Sequence, residues 1–257
     1  VLTVADVNPA DPQSGVVTAP PGGRSNLALR VVSSLILAPL ALALAYAGGW
    51  PFAVFWSAAA AVVLGEWLML VIGRNPLAQF PWSATQWLWV LCGVVYAGAL
   101  LAGTLLLRSD ASLGFVAIVF VFAVVWGSDI MAYFVGRAVG GPKLMPRVSP
   151  GKTWSGAVGG TFASVIFGVL VGKASGLANP GAIALIAFTL SVISQAGDLI
   201  ESALKRHFHV KDSSGLLPGH GGLMDRLDGY LTAVAAAAVI GLVRGGFDGP
   251  ARGLLVW

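Results

Sequence analysis

Long apolar runs separated by short polar breaks dominate the chain from residue 27 onward. Each run reaches or approaches the roughly 20 residues that an α-helix needs to cross a bilayer. The pattern therefore predicts an all-α, polytopic integral membrane protein with about seven transmembrane helices, in a range of about six to nine. The predicted segments lie near residues 27–47, 52–72, 86–107, 113–133, 156–172, 181–200 and 229–244.

The positions between and around these runs divide the chain into regions. Residues 1–26 are rich in Pro, Gly, Ser and Asp without periodicity, which predicts a flexible N-terminal tail. We expect residues 27–125 to form the N-terminal transmembrane helices and residues 126–244 to form a second transmembrane region that carries most of the charge. Residues 245–257 are expected to be a C-terminal tail.

The composition excludes an ordinary soluble domain. Hydrophobic residues make up 57% of the 257 positions and charged residues only 10%, whereas soluble domains carry about 25% charged residues. The single cysteine, Cys92, lies in an apolar run and rules out a disulfide framework. We expect no nucleic-acid partner, and a bundle of this size is compatible with a homodimer.

The basic residues are distributed unevenly between the two sides of the predicted bundle. If the N-terminus lies in the cytosol, eleven of the fifteen fall inside and four (Arg108, Lys173, Arg244 and Arg252) fall outside. This bias follows the positive-inside rule and predicts a multi-pass protein of the cytoplasmic membrane with its N-terminus in. The two most basic loops, residues 134–155 and 201–228, then face the cytosol.

Several carboxylates occur at the edges of apolar segments, where placing a charge near the bilayer costs free energy. Asp129 and Asp198 are expected at the cytosolic ends of two helices, and Asp225 and Asp228 on the first turn of the last one, where a spacing of three places them on one face. In a bundle, these four carboxylates can line one cavity at the membrane surface. Glu66 is isolated from them, and we interpret it as a structural hydrogen-bond acceptor.

The polar residues around these carboxylates are suited to phosphate chemistry. Mg²⁺ binds carboxylate oxygens together with substrate phosphates, and Lys and Arg neutralise the remaining phosphate charge. A glycine-rich turn at residues 219–222 lets backbone N–H groups approach a phosphate closely. His220 lies inside this turn and is expected to touch substrate.

The spacing of polar residues between 202 and 228 forms a recognisable signature. It comprises Ser202, Lys205, Arg206, Lys211, Asp212, Ser214, Leu217, Pro218, His220, Gly221, Gly222, Asp225, Arg226 and Asp228. This pattern resembles the signature of the phosphatidate cytidylyltransferases, or CDP-diacylglycerol synthases. Residues 129–137, 149–160 and 195–202 also resemble that family, so the similarity covers roughly residues 126–230. Ser155 departs from it, because many members are expected to carry an acidic residue there.

The resemblance implies a reaction in which CTP and membrane-embedded phosphatidic acid give CDP-diacylglycerol and pyrophosphate, with Mg²⁺ at one or two sites. Residues 126–244 would be the catalytic region, with its signature loop at 198–228. The metal would be bound by Asp198 and Asp225, with Asp228 and Asp129 as further ligands or their hydrogen-bond partners. The phosphates would be held by Lys205, Arg206, Lys211, Arg226, Lys152 and Arg137, and by the N–H groups of Gly221 and Gly222. Ser202 and His220 are the candidates for contacting the cytosine.

Three other functions stay open at this point. The first is a cytidylyltransferase for another lipid phosphate, such as a phosphorylated polyprenol. The second is a CDP-alcohol phosphotransferase, for which the nearest motif, residues 248–252, is one residue short and lacks the aspartates that should follow. The third is a non-enzymatic lipid transporter or scaffold, which would not require paired basic and acidic residues around a glycine-rich turn.

Overall fold

The computed structural model describes residues 36–73, 76–214 and 221–257. The described chain is almost entirely helical, with one short hairpin and a 3-10 turn at Pro76–Gln79. Its helices are α1 (Ile36–Ala47), α2 (Gly49–Val71), α3 (Ala84–Ser109), α4 (Gly114–Val139), α5 (Trp154–Ala174), α6 (Pro180–His207), α7 (Met224–Gly245) and α8 (Pro250–Leu255). The predicted tail at 1–26 and the start of segment 27–47 lie outside the described residues.

Six of these helices, α2 to α7, are long and apolar enough to cross a membrane. They contain 21 to 28 residues each and correspond to the last six predicted segments. The described part of α1 is shorter and falls in the first predicted segment. The prediction of an all-α, polytopic membrane protein is therefore confirmed.

Local sequence signals explain where several helices begin. Ser83 and Gln86 form a capping box at the start of α3, in which the side chain of each residue accepts the backbone N–H of the other. The Thr153 hydroxyl accepts the N–H of Gly156 at 3.1 Å to cap α5, and Asn179 caps α6 in the same way. Side-chain acceptors at these positions satisfy donors that have no partner within the helix.

Two helices continue further than the hydropathy pattern predicts. Asp129 and Asp198 were expected at helix ends, but α4 runs on to Val139 and α6 to His207. The expectation was wrong because the end of an apolar run marks a change of surroundings and not a break in the helix. Both aspartates consequently lie on regular helical backbone, more than two turns from the helix ends.

The basic loop after α4 folds into a hairpin that the sequence analysis did not predict. Strands β1 (Lys143–Met145) and β2 (Ser149–Thr153) pair antiparallel, with Lys143 opposite Thr153. The Ser155 hydroxyl donates a hydrogen bond to the carbonyl of Gly140, which joins the start of α5 to the chain entering the hairpin. The hairpin thus leads directly into α5 and holds β2 against the bundle.

Close helix packing depends on small residues, as expected for lipid-embedded helices. A Cβ atom on Gly160 of α5 would lie 2.6 Å from the carbonyl oxygen of Ser128 in α4, so only glycine permits this approach. One turn along, the Ser164 hydroxyl donates to the Val124 carbonyl at 2.7 Å. Small residues on one face of α5 therefore allow α4 and α5 to pack closely.

The C-terminal residues are packed, whereas a tail was expected at 245–257. Helix α8 is buried, and the N–H of Arg252 donates to the carboxylate of Asp110 at 2.9 Å, between α3 and α4. Burial by itself would raise the pKa of Asp110, but hydrogen bonds from Ser112, Leu113 and Arg252 outweigh burial and lower that pKa. This contact could not be predicted from the sequence, because Arg252 and Asp110 are 142 residues apart.

Candidate active site

A cavity of about 1310 Å³ opens between α1, α2, α4, the hairpin, α5, α6 and α7. One part of its wall is apolar and comes from α1 and α2, including Leu37, Ala41 and Phe55. Another part is polar and carries Asp129, Arg137, Lys143, Lys152, Gln195, Asp198, Asp225, Arg226 and Asp228. The four aspartates that were predicted to line one cavity do so, from α4, α6 and α7.

Three carboxylates form a compact group at this cavity, and one of them was not assigned from the sequence. Asp198 and Glu201 lie one turn apart on α6, and Asp228 faces them from α7. Each offers an oxygen, and these oxygens all lie within 4.8 Å of one another. Such a set of hard oxygen ligands suits a cation such as Mg²⁺.

Glu201 provides the strongest indication that the group holds a cation. Its side chain is 3% exposed, and among the described residues neither carboxylate oxygen has a hydrogen-bond partner. The ammonium of Lys205 lies 3.2 Å from Oε2. A buried carboxylate with one ion pair and no hydrogen bond is costly, and a bound cation between Glu201, Asp198 and Asp228 would stabilise it. The donor set therefore fits a divalent metal.

The structure does not bring Asp225 into this group of three. Its Oδ1 accepts the ammonium of Lys205 at 2.7 Å, and its Oδ2 accepts the N–H groups of Gly222 at 2.8 Å and Ser213 at 3.0 Å. Asp225 was predicted to be a metal ligand together with Asp198. Its contacts are those of a residue that holds the signature loop to the start of α7.

Lys152 and Arg137, predicted to hold phosphates, line the cavity from the hairpin and from α4 respectively. Lys152 forms an ion pair with Asp198, and Arg137 donates to the Tyr133 hydroxyl at 3.0 Å. Lys143, which was not predicted to hold a phosphate, lines the same wall. Three cationic side chains therefore face the cavity from the α4–α5 region.

The signature loop contributes fewer cavity contacts than its sequence indicated. Arg226 lines the cavity and Lys205 is held between Glu201 and Asp225. By contrast, Arg206, Lys211 and Ser202 are not among the described residues that line the cavity, and the Arg206 guanidinium donates to backbone carbonyls of residues 148 and 210.

The glycine-rich turn is described only in part. His220 lies outside the described residues. Gly221 has a φ of +81°, which favours glycine, and the N–H of Gly222 is directed to Asp225. The Gly222 N–H, predicted to bind a phosphate, therefore already has an acceptor within the protein.

The expectation for Glu66 is confirmed. This α2 carboxylate is 1% exposed and accepts hydrogen bonds from the Ser213 and Ser214 hydroxyls and from the N–H groups of Leu223 and Met224. These partners could not be predicted from the sequence, because they lie 147 to 158 residues further along the chain. Glu201, by contrast, belongs to the motif at 195–202, and its position one helical turn after Asp198 was a signal that could have identified it.

Comparison with known proteins agrees with this arrangement. Residues 84–243 match the model of the Cytidylyltransferase family, which covers more than half of the chain. A phosphatidate cytidylyltransferase of Brucella abortus is 40% identical over 85% of this chain and 94% of its own length. Proteins of the same name from Bacillus subtilis and Haemophilus influenzae are each 39% identical, over 64% and 65% of this chain and 61% of their own lengths. With its carboxylate group and cationic wall inside the matched region, this chain belongs to the cytidylyltransferase family.

Proposed function

We propose that this protein is a phosphatidate cytidylyltransferase, which converts CTP and phosphatidic acid to CDP-diacylglycerol and pyrophosphate in phospholipid biosynthesis. One observation carries the proposal. A single cavity joins an apolar wall on α1 and α2 to a group of three carboxylates and several cationic side chains. A water-soluble nucleotide and a lipid phosphate need such a place to meet. The relatives that carry this enzyme name support the same conclusion.

The reaction requires no covalent enzyme intermediate. A phosphate oxygen of phosphatidic acid attacks the α-phosphorus of CTP, and a new P–O bond forms. The bond from that phosphorus to the oxygen bridging to the β-phosphate breaks, and pyrophosphate leaves with the electron pair. The attacking phosphate is already anionic near neutral pH, so the task of the protein is to position the reactants and stabilise charge.

The cationic residues at the cavity would neutralise the phosphates of both substrates. Lys152, Arg137 and Arg226 line the cavity and extend from three different elements. The ion pair with Asp198 holds the Lys152 ammonium beside the carboxylate group. Bringing two polyanions together is repulsive, so these charges lower the barrier by offsetting that repulsion.

We assign the metal-holding role to Asp198, Glu201 and Asp228. Asp129 lines the same cavity from α4 and is a further candidate ligand. Mg²⁺ bound by these residues would supply a positive charge that neutralises phosphate oxygens and aligns them for displacement. Asp225 has a different role in this proposal, because its oxygens are already directed to Lys205, Gly222 and Ser213.

We further propose that the site faces the cytosol in a bacterial inner membrane. Helices α3, α5 and α7 each have one basic residue in their last turn, Arg108, Lys173 and Arg244 respectively. The opposite end of the bundle carries the hairpin and the signature loop with their many Lys and Arg residues. By the positive-inside rule the site end is cytosolic, where CTP is available.

Synthesis of the product by the purified full chain tests the proposal directly. The protein in lipid vesicles is incubated with labelled CTP, phosphatidic acid and Mg²⁺, and CDP-diacylglycerol and pyrophosphate are measured. We expect equal amounts of both products, loss of the reaction with chelator, and recovery when Mg²⁺ is restored. Product from a polyprenyl phosphate but none from phosphatidic acid would reassign the lipid substrate. No nucleotide transfer to either lipid would overturn the proposal.

A further inference from the structure

Glu66 connects the N-terminal helices to the site, although it lies outside the region that matches the family model. Its Oε1 accepts the Ser214 hydroxyl at 2.6 Å and the Leu223 N–H at 3.0 Å. Its Oε2 accepts the Met224 N–H at 2.7 Å and the Ser213 hydroxyl at 3.3 Å. One buried carboxylate thus binds the signature loop at two places, before residue 215 and after residue 220.

The surroundings of Glu66 favour a negatively charged side chain at this position. Leu223 and Met224 form the start of α7, where exposed N–H groups and the helix dipole favour a negative charge. A Cβ atom on Gly222 would lie 2.7 Å from Oε2 of Glu66 and closer still to the Ser213 hydroxyl. The loop approaches Glu66 as closely as it does because residue 222 has no side chain.

A continuous set of contacts leads from Glu66 to the three-carboxylate group. Ser213, which donates its hydroxyl to Glu66, donates its N–H to Asp225 at 3.0 Å. Asp225 accepts the Lys205 ammonium at 2.7 Å, and that ammonium lies 3.2 Å from Glu201. Each step is a hydrogen bond or an ion pair between buried or half-buried groups.

We propose that Glu66 is a positioning residue for the cytidylyltransferase reaction. Glu66 itself neither lines the cavity nor belongs to the carboxylate group, although it accepts the N–H of Leu223, which does line the cavity. It fixes the first turn of α7 and the adjoining loop, so that Asp225 and Lys205 hold Glu201 in place. Small displacements of catalytic groups lower rates steeply, because an error of about 1 Å costs about a hundredfold. This inference rests on the proposed function only for its kinetic consequences, and its structural consequence can be measured separately.

The kinetic test uses Glu66→Gln, which keeps the size of the side chain and replaces one acceptor oxygen by a donor. We expect kcat to fall between about tenfold and a hundredfold, with a smaller change in KM for CTP, because Glu66 does not contact the nucleotide site. Ser214→Ala removes the same contact from the other side. If the two residues act through one hydrogen bond, the kcat of the double variant will be close to that of Glu66→Gln alone.

Asp110→Asn is the matched control. Asp110 is another buried carboxylate that accepts backbone N–H groups next to a helix N-terminus, but it lies before the start of α4, and Asp129 lies about four turns further along that helix. We expect this variant to lose stability and to keep its kcat. Its combination with Glu66→Gln should be additive, because distant sites are independent.

Hydrogen–deuterium exchange separates this inference from the proposed function. In Glu66→Gln, backbone exchange should rise in the peptide that contains residues 213–224, and Asp110→Asn should leave that peptide unchanged. Faster exchange together with an inactive wild-type protein would support the positioning role and overturn the proposed function. Unchanged exchange, or a Glu66→Gln variant with wild-type kcat, would overturn the inference. If Glu66→Gln fails to fold, Ser214→Ala provides the same two measurements, and unchanged values there would likewise overturn it.

Discussion

The two glutamates of this chain offer a sharp test of how the site is built. Glu66 and Glu201 are the only glutamates in the sequence, and both are buried. Glu66 accepts hydrogen bonds from four groups, whereas the oxygens of Glu201 have none from the described residues. We therefore predict that changing each glutamate to glutamine affects a different property of the protein. Glu201→Gln should impair metal binding and activity, and Glu66→Gln should lower stability.

The magnitude for Glu201 follows from its neighbours. At an effective dielectric constant of about 20, its attraction to the Lys205 ammonium at 3.2 Å is about 5 kcal/mol. Its repulsion from Asp198 and Asp228, whose oxygens lie within 4.8 Å, is at least about 3.5 kcal/mol for each pair under the same assumption. Without metal, the two repulsions that are lost sum to at least about 7 kcal/mol and outweigh the one attraction that is lost. Lys205 also keeps its ion pair with Asp225. The free energy of unfolding without metal should therefore not fall in Glu201→Gln.

The assay is thermal unfolding with and without Mg²⁺, combined with product formation. A ligand at a hundred times its Kd stabilises a protein by about 2.7 kcal/mol, which for this chain length raises Tm by roughly 5–10 °C. Glu201→Gln should lose most of that increase and lower turnover by about a hundredfold or more, because one of three ligands is gone. Wild-type turnover with an undiminished Mg²⁺ effect would refute the assignment. A large fall in Tm without metal would show that Glu201 is a structural residue. Glu66→Gln is the comparison, and its Tm should fall even without metal, because buried donors lose their acceptor at about 1–3 kcal/mol each.

Three further predictions address other contacts. Asp225→Asn should leave the protein inserted in the membrane but greatly reduce CDP-diacylglycerol synthesis, and near-normal turnover would show that the ion pair with Lys205 is dispensable. Gly222→Ala should lower both Tm and activity, because the added methyl group would collide with Glu66 and Ser213, whereas unchanged values would mean that the loop shifts freely. Because the folded-state pKa of Asp110 is lowered, its stabilisation is present above the ordinary aspartate pKa and is lost as pH falls through the lowered value. The free energy of unfolding of Asp110→Asn should therefore fall less at acidic pH than that of the wild type. Identical acid unfolding curves would contradict this.

The fold class was predictable because hydropathy reports burial in lipid directly. An apolar run of about 20 residues has few alternatives to a membrane-spanning helix, and all six long helices coincide with predicted segments. Helix ends were less predictable. Asp129 and Asp198 mark where the surroundings become polar, yet α4 and α6 continue along the cavity wall because backbone hydrogen bonding within a helix does not depend on apolar side chains.

The site was predictable in its residue types and less so in their roles. The sequence correctly placed Asp225 on the first turn of α7, whereas Asp228, predicted on the same turn, lies on the next one. Sequence spacing did not reveal that Asp228 faces Asp198 and Glu201 while Asp225 faces Lys205. That difference depends on how α7 is rotated against α6, which is decided by packing along both helices. The hairpin at 143–153 was also missed, since its strands are short and carry no clear alternation.

The sequence by itself determined that this chain forms a helical bundle in a membrane, with carboxylates, cationic residues and a glycine-rich turn gathered near one membrane surface. These properties follow from local composition and short-range spacing, which any segment carries with it. Only the tertiary structure decided which carboxylates share a site and which ones hold the loop. Glu66 and Met224 are 158 residues apart and meet at 2.7 Å, and such a contact arises from the packing of whole helices, because neither residue's local sequence specifies its partner.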